Sequence, residues 1–123
     1  MESLNWLAII VGTVLAFGLG MLWFSPAMFG KAWSAGSHNL QPPEKPPMAA
    51  MAIMLAGTFL LALVVGMTAQ TEALATAIVA ILAAAVIVAG MDLFSQKSGK
   101  ATLIDAGYIV AMGVLMIGAQ GVL

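Results

Sequence analysis

Polar and apolar positions alternate along this chain only on a coarse scale, with long unbroken apolar runs separated by short polar interruptions. The runs cover about 4–24, 48–69, 73–94 and 102–122, and each holds the ~20 residues an α-helix needs to cross a ~30 Å hydrocarbon core. They are rich in Ala, Leu and Met and lack the period-two pattern of a membrane barrel strand. Lipid obliges each segment to satisfy its own backbone hydrogen bonds. The pattern predicts an all-α membrane protein: one integral membrane domain over 1–123, built as a four-transmembrane-helix bundle. The start, Met1-Glu2-Ser3-Leu4, lacks the basic region of a cleavable signal peptide, so the first span is expected to stay in the mature protein.

The interruptions differ in kind. Gln70-Thr71-Glu72 is short enough to make the second and third spans an antiparallel hairpin, with Thr71 placed to cap and Glu72 at the positive end of the third helix. The connection from Ser25 to Pro47 is long. Its first half predicts a short interfacial helix at about 26–35, with Ser25 as N-cap, Pro26 in the first turn, and Met28, Phe29 and Trp33 on the apolar side. Its second half, 42–47, is four prolines around Glu44 and Lys45, which predicts a stiff polyproline-like strut.

Charge then sets an orientation. The 123 residues carry four Lys, no Arg and five acids, 7% charged in all against a hydrophobic share of 63%. That is far below the ~25% charged residues of an ordinary soluble domain, and the net charge of −1 excludes the basic footprint of nucleic-acid binding. Lys31 and Lys45 fall between the first two spans, Lys97 and Lys100 between the last two. By the positive-inside rule both segments face the cytoplasm and both termini face the other side. Trp6 and Trp23, 17 residues apart and so about 26 Å along a helix, suit two interfacial belts.

Chemistry in the spans is sparse. Ala8, Gly12, Ala16 and Gly20 recur every fourth residue and clear one stripe of bulk, so that another backbone can approach closely, within the bundle or from a partner. Asp92 lies near the end of the third span, where the helix dipole disfavours an anion, and calls for a partner among Lys97, Lys100 and Lys31. Asp105 is expected in the first turn of the fourth helix, where the dipole favours it. With Tyr108 the two acids form a candidate polar site for a cation or proton, against a plainer reading as carboxylate–lysine anchors. The hydroxyls of Thr13, Thr58 and Thr76 are expected to be satisfied by their own helices. Met48, Met51 and Met54 repeat every third residue, but without Cys or a second His they read as flexible packing rather than a copper site. His38 stands alone in a polar loop. No nucleophile–base set, metal-ligand pair or phosphate loop is present, so neither catalysis nor a cofactor is expected. Gly20-Met21-Leu22-Trp23-Phe24-Ser25 followed by Gly30-Lys31-Ala32 is similar to Gly90-Met91-Asp92-Leu93-Phe94-Ser95 followed by Gly99-Lys100-Ala101, the mark of a duplicated hairpin or of chance in a biased composition.

Asn5-Trp6-Leu7-Ala8-Ile9-Ile10, then Leu22-Trp23-Phe24-Ser25-Pro26 and Phe29-Gly30-Lys31-Ala32-Trp33, resemble the opening of a bacterial membrane protein family, the domain of unknown function 1761; Leu103-Ile104-Asp105-Ala106-Gly107-Tyr108 resembles its final-helix signature. The resemblance spans essentially the whole chain and implies a small four-helix protein of the bacterial inner membrane, with no activity to transfer. It sets an interfacial motif of Trp23, Ser25, Pro26, Phe29, Gly30, Lys31 and Trp33 beside Asp105 and Tyr108. Phe24 departs from the tyrosine expected there, and the proline strut is a second departure. The expected function is non-catalytic: association through helix packing, as a homo-oligomer or an accessory subunit of a membrane complex. The alternative is a small proton- or cation-coupled transporter using Asp92 and Asp105.

Overall fold

The computed structural model describes residues 3–41, 43–45 and 47–123. Five helices follow in order, α1 (Trp6–Trp23), α2 (Gly30–Gly36), α3 (Met48–Gln70), α4 (Leu74–Phe94) and α5 (Gly99–Val122). All but α2 are long and apolar enough to cross a membrane. The chain is thus an all-helical multi-pass bundle, with a short helix after the first span.

α5 is the central element, packed against α1, α3, α4 and α2, while α1 and α4 take opposite corners and α3 closes the bundle against both. Interior and exterior are sorted by size rather than by polarity. Ala8, Ala16, Ala62, Ala77, Ala85 and Ala101 are buried, whereas Val14, Leu15, Val79, Val86 and Ile87 face outward. In lipid there is little hydrophobic gain between helices, so close approach over small residues supplies the packing. Ile9, Val65, Ile81, Tyr108, Met112 and Met116 fill the centre.

The ends of the helices differ from the sequence expectation at three places, each for a local reason. α5 starts at Gly99 rather than near 102, because the Ser98 hydroxyl accepts the Ala101 N–H at 3.0 Å and caps the helix. Asp105 therefore sits in the second turn, not the first. α2 starts at Gly30 rather than at Pro26, because the Ser25 hydroxyl is not free to cap: it donates to the Leu22 carbonyl at 2.6 Å. The segment 25–29 is a tight turn instead, closed by Phe29 N–H to the Trp23 carbonyl and Gly30 N–H to the Ser25 carbonyl. Thr71 does not cap α4: it ends α3, its hydroxyl turned back to the Thr68 carbonyl, and α4 begins after Ala73 without a side-chain cap.

The turns α3–α4 and α4–α5 share one geometry. Glu72 (φ 53°) and Gln96 (φ 62°) are left-handed just past a helix end. Ala73 N–H returns to the Thr68 carbonyl and Lys97 N–H to the Asp92 carbonyl, the six-residue clasp of a Schellman ending. Of the expected strut, Pro42 and Pro46 lie outside the described residues, and the chain bends at Glu44 and Lys45. In the two similar segments, 20–32 and 90–101, the first part ends a spanning helix, α1 or α4, and Gly30 and Gly99 each open the next helix, which is the short α2 in one case and the spanning α5 in the other.

Candidate functional site

The polar chemistry collects where α2, the α4–α5 turn and the first turns of α5 meet. α2 is clasped there through its backbone: the Ser98 N–H donates to the Gly36 carbonyl at 2.9 Å. A Cβ at Gly36 would run into the Ser98 hydroxyl, so only glycine permits this approach. Beside the clasp, the His38 ring donates through Nε2 to the Ser95 carbonyl at 2.7 Å. These contacts bring the Lys31-bearing segment and the Lys97–Lys100 segment to one end of the bundle.

Lys97 is the hub of that end. Its ammonium donates to Asp105 Oδ2 at 3.2 Å, lies 3.7 Å from Asp92 Oδ1, and stands 5.4 Å from the centroid of the Trp33 ring. The α4–α5 clasp explains the placement: the backbone of Lys97 is tied to the carbonyl of Asp92, so its side chain stays within reach of that residue's carboxylate. An anion in the last turn of a helix is disfavoured by the dipole, and the lysine compensates it. Two carboxylates face one ammonium. Asp92 is only 8% exposed, and its Oδ2 has no hydrogen-bond partner. Lys31 and Lys100 are exposed and form no ion pair among the described residues.

An aromatic group surrounds the cluster. Phe24 meets Trp33 and Tyr108 edge-on, with centroids 5.3 and 5.4 Å apart, and Trp23 packs on Phe29 at 4.8 Å. Trp23 is not an outward belt residue. Its indole donates to the Ile104 carbonyl of α5 at 3.0 Å. Tyr108, expected beside the acids, donates its hydroxyl to the Ala16 carbonyl of α1 at 2.7 Å. These two bonds fasten α1 to α5. Of the three residues of the candidate polar site, Lys97 joins Asp92 to Asp105, and Tyr108 turns to the small-residue stripe.

That stripe packs inside the bundle. Ala8, Gly12 and Ala16 are buried, Gly12 lies against Met116 of α5, and a Cβ at Gly20 would stand 2.5 Å from the Tyr108 hydroxyl. Elsewhere in the interfacial motif, Pro26, Phe29 and Lys31 are exposed, while Ser25, Gly30 and Trp33 are half-buried.

Beside the cluster a cleft of about 660 Å³ runs between α1, α3 and α5. Phe17, Gly20 and Phe24 of the α1 side, Met51 and Met54 of α3, and Trp33, Tyr108 and Asp105 line a surface that is almost wholly apolar. Asp105 thus touches both the lysine and the cleft. Phe17 carried no chemical signal in the sequence, and Met51 and Met54 read there as flexible packing; only the position of α3 against α1 makes them walls of one cleft. At the far end of the bundle a smaller cleft of about 280 Å³ lies between Glu72, Ile117 and Gln120. There is no ion pair at that end among the described residues.

The family described as Protein of unknown function (DUF1761) matches the chain over residues 7–120. No curated protein and no solved structure matches it.

Proposed function

The chain belongs to the DUF1761 family, a premise that brings no activity with it, and we propose that it is a small multi-pass carrier that couples to a cation through Asp105 and Asp92. One observation supports this above the rest: Asp105 shares the Lys97 ammonium with Asp92 and at the same time lines a large cleft among the spans. A carboxylate within a span is costly unless it is paired, as Asp105 is by Lys97, and such residues mark ion and proton pathways. Association through helix packing alone, as a homo-oligomer or accessory subunit, is the weaker reading, because the stripe of Ala8, Gly12, Ala16 and Gly20 is covered by α5 and a partner must use another face. Nothing in the site calls for catalysis. In a bacterial inner membrane the lysine-bearing end faces the cytoplasm by the positive-inside rule, with both termini on the opposite side.

The test is flux. Full-length protein in liposomes under an imposed proton gradient, with a pH-sensitive dye inside, is expected to dissipate the gradient, and Asp105→Asn is expected to abolish the effect. Asp92→Asn is expected to weaken it, since Asp92 reaches the cleft only through Lys97. Equal flux from the wild type and Asp105→Asn removes the carrier reading.

A further inference from the structure

We infer that the cleft takes an amphipathic organic cation carrying aromatic or other bulky apolar groups, and that Lys97 is the resident cation such a ligand displaces; this rests on the carrier reading of the same site. The shape of the cleft supplies the first part. Its volume of about 660 Å³ lies in the range of small-molecule sites, well beyond the needs of a proton or a bare metal ion. Phe24, Trp33 and Tyr108 offer ring faces and edges, and Met51 and Met54 offer flexible, polarisable packing that adapts to varied apolar shapes. Among the described residues the only carboxylate on the wall is Asp105.

Lys97 supplies the second part. An ammonium already sits between two carboxylates and within cation–π reach of an indole, so this end of the cleft is arranged around a positive charge. The excess carboxylate leaves room for a second one. Asp92 Oδ2 is buried and unpartnered, which gives Lys97 somewhere to go. When the incoming cation engages Asp105, Lys97 falls back onto Asp92, and the count of two carboxylates and two cations becomes balanced. The exchange needs no large backbone movement, because the Lys97 N–H is already bonded to the Asp92 carbonyl.

Tetraphenylphosphonium serves as the probe, titrated into the detergent-solubilised full chain and followed by calorimetry and tryptophan fluorescence. Saturable binding at one site per chain is expected. Asp105→Asn is expected to weaken it about tenfold or more, and Lys97→Gln to tighten it about tenfold by removing the competing ammonium. Ala50→Phe, an exposed position on the wall of the cleft, is expected to weaken binding by filling the space and leaves the charges untouched. Tightening in Lys97→Gln is the decisive sign, since a greasy groove that holds acyl chains has no reason to respond that way. Affinity unchanged in both Asp105→Asn and Lys97→Gln, or equal affinity for neutral triphenylphosphine oxide, overturns the assignment. Saturable binding without flux removes the carrier reading and keeps the ligand class. Flux with no binding of the probe does the reverse.

Discussion

The two ends of the bundle are built on the same backbone turn and differ in what is laid over it. At each end a helix finishes in a Schellman clasp with a non-glycine residue in the left-handed region, Glu72 at one end and Gln96 at the other. The Glu72 turn is bare, and its neighbouring cleft is small. Across the Gln96 turn lie α2, the His38 bond to Ser95 and the Lys97 ion pairs, with the larger cleft alongside. Part of the difference lies in the helices, since Asp92, Lys97 and Asp105 all come from α4, α5 and the turn between them. The long connection from α1 to α3 adds the cover: α2, the Trp33 ring beside Lys97 and the His38 bond to Ser95.

The largest expected effect tests whether the packing of the α1 stripe belongs to this end alone. A side chain at Gly20 meets Tyr108 Oη at 2.5 Å and Cζ at 2.9 Å, whereas a side chain at Gly121, at the opposite end, meets nothing within 4 Å. Gly20→Leu therefore combines overpacking with loss of the Tyr108 bond to Ala16 and is expected to cost about 2–3 kcal/mol. Gly121→Leu is expected to stay within about 0.5 kcal/mol of the wild type. Thermal unfolding in detergent compares them, and equal midpoints remove the distinction.

How far these ends were legible in the sequence follows from what each residue type signals. Runs of apolar residues announce four spans, and the scarcity of lysine makes Lys97 a visible candidate partner for Asp92. Trp23 is the clearest miss: tryptophan at a span end reads as a lipid-facing anchor, and only the approach of α5 shows its indole donating to Ile104. The start of α5 was hidden by Lys100, which looks like loop but lies inside the first turn, while the Ser98 cap was the available signal. The cleft was illegible because its walls come from α1, α3 and α5 and are made of residues that read as ordinary membrane core.

A smaller effect probes the fastening of α1 to α5 without touching sterics. Tyr108→Phe keeps the ring against Phe24 and removes only the hydroxyl that reaches Ala16. Interhelical hydrogen bonds in membranes average about 0.6 kcal/mol, so a loss of roughly 0.5–1 kcal/mol is expected in the same unfolding measurement. A much larger loss would mean that the hydroxyl also orders the cleft, and the probe affinity of this variant would fall with it.

The finest comparison returns to the paired turns. A left-handed residue with a side chain costs about 1 kcal/mol, and glycine relieves that strain but returns part of the gain through a freer unfolded chain. Glu72→Gly and Gln96→Gly are each expected to raise stability by about 0.5 kcal/mol, because the local backbone is the same. Their functional effects should separate. Nothing at the Glu72 turn depends on how stiffly it is held, whereas Gln96 precedes the lysine that must lie between Asp92 and Asp105. Gln96→Gly is therefore expected to weaken flux while slightly raising the unfolding midpoint, and Glu72→Gly to leave flux alone. If both variants transport like the wild type, the long connection and α2 place Lys97 unaided, and the shared turn is only a way of ending a helix.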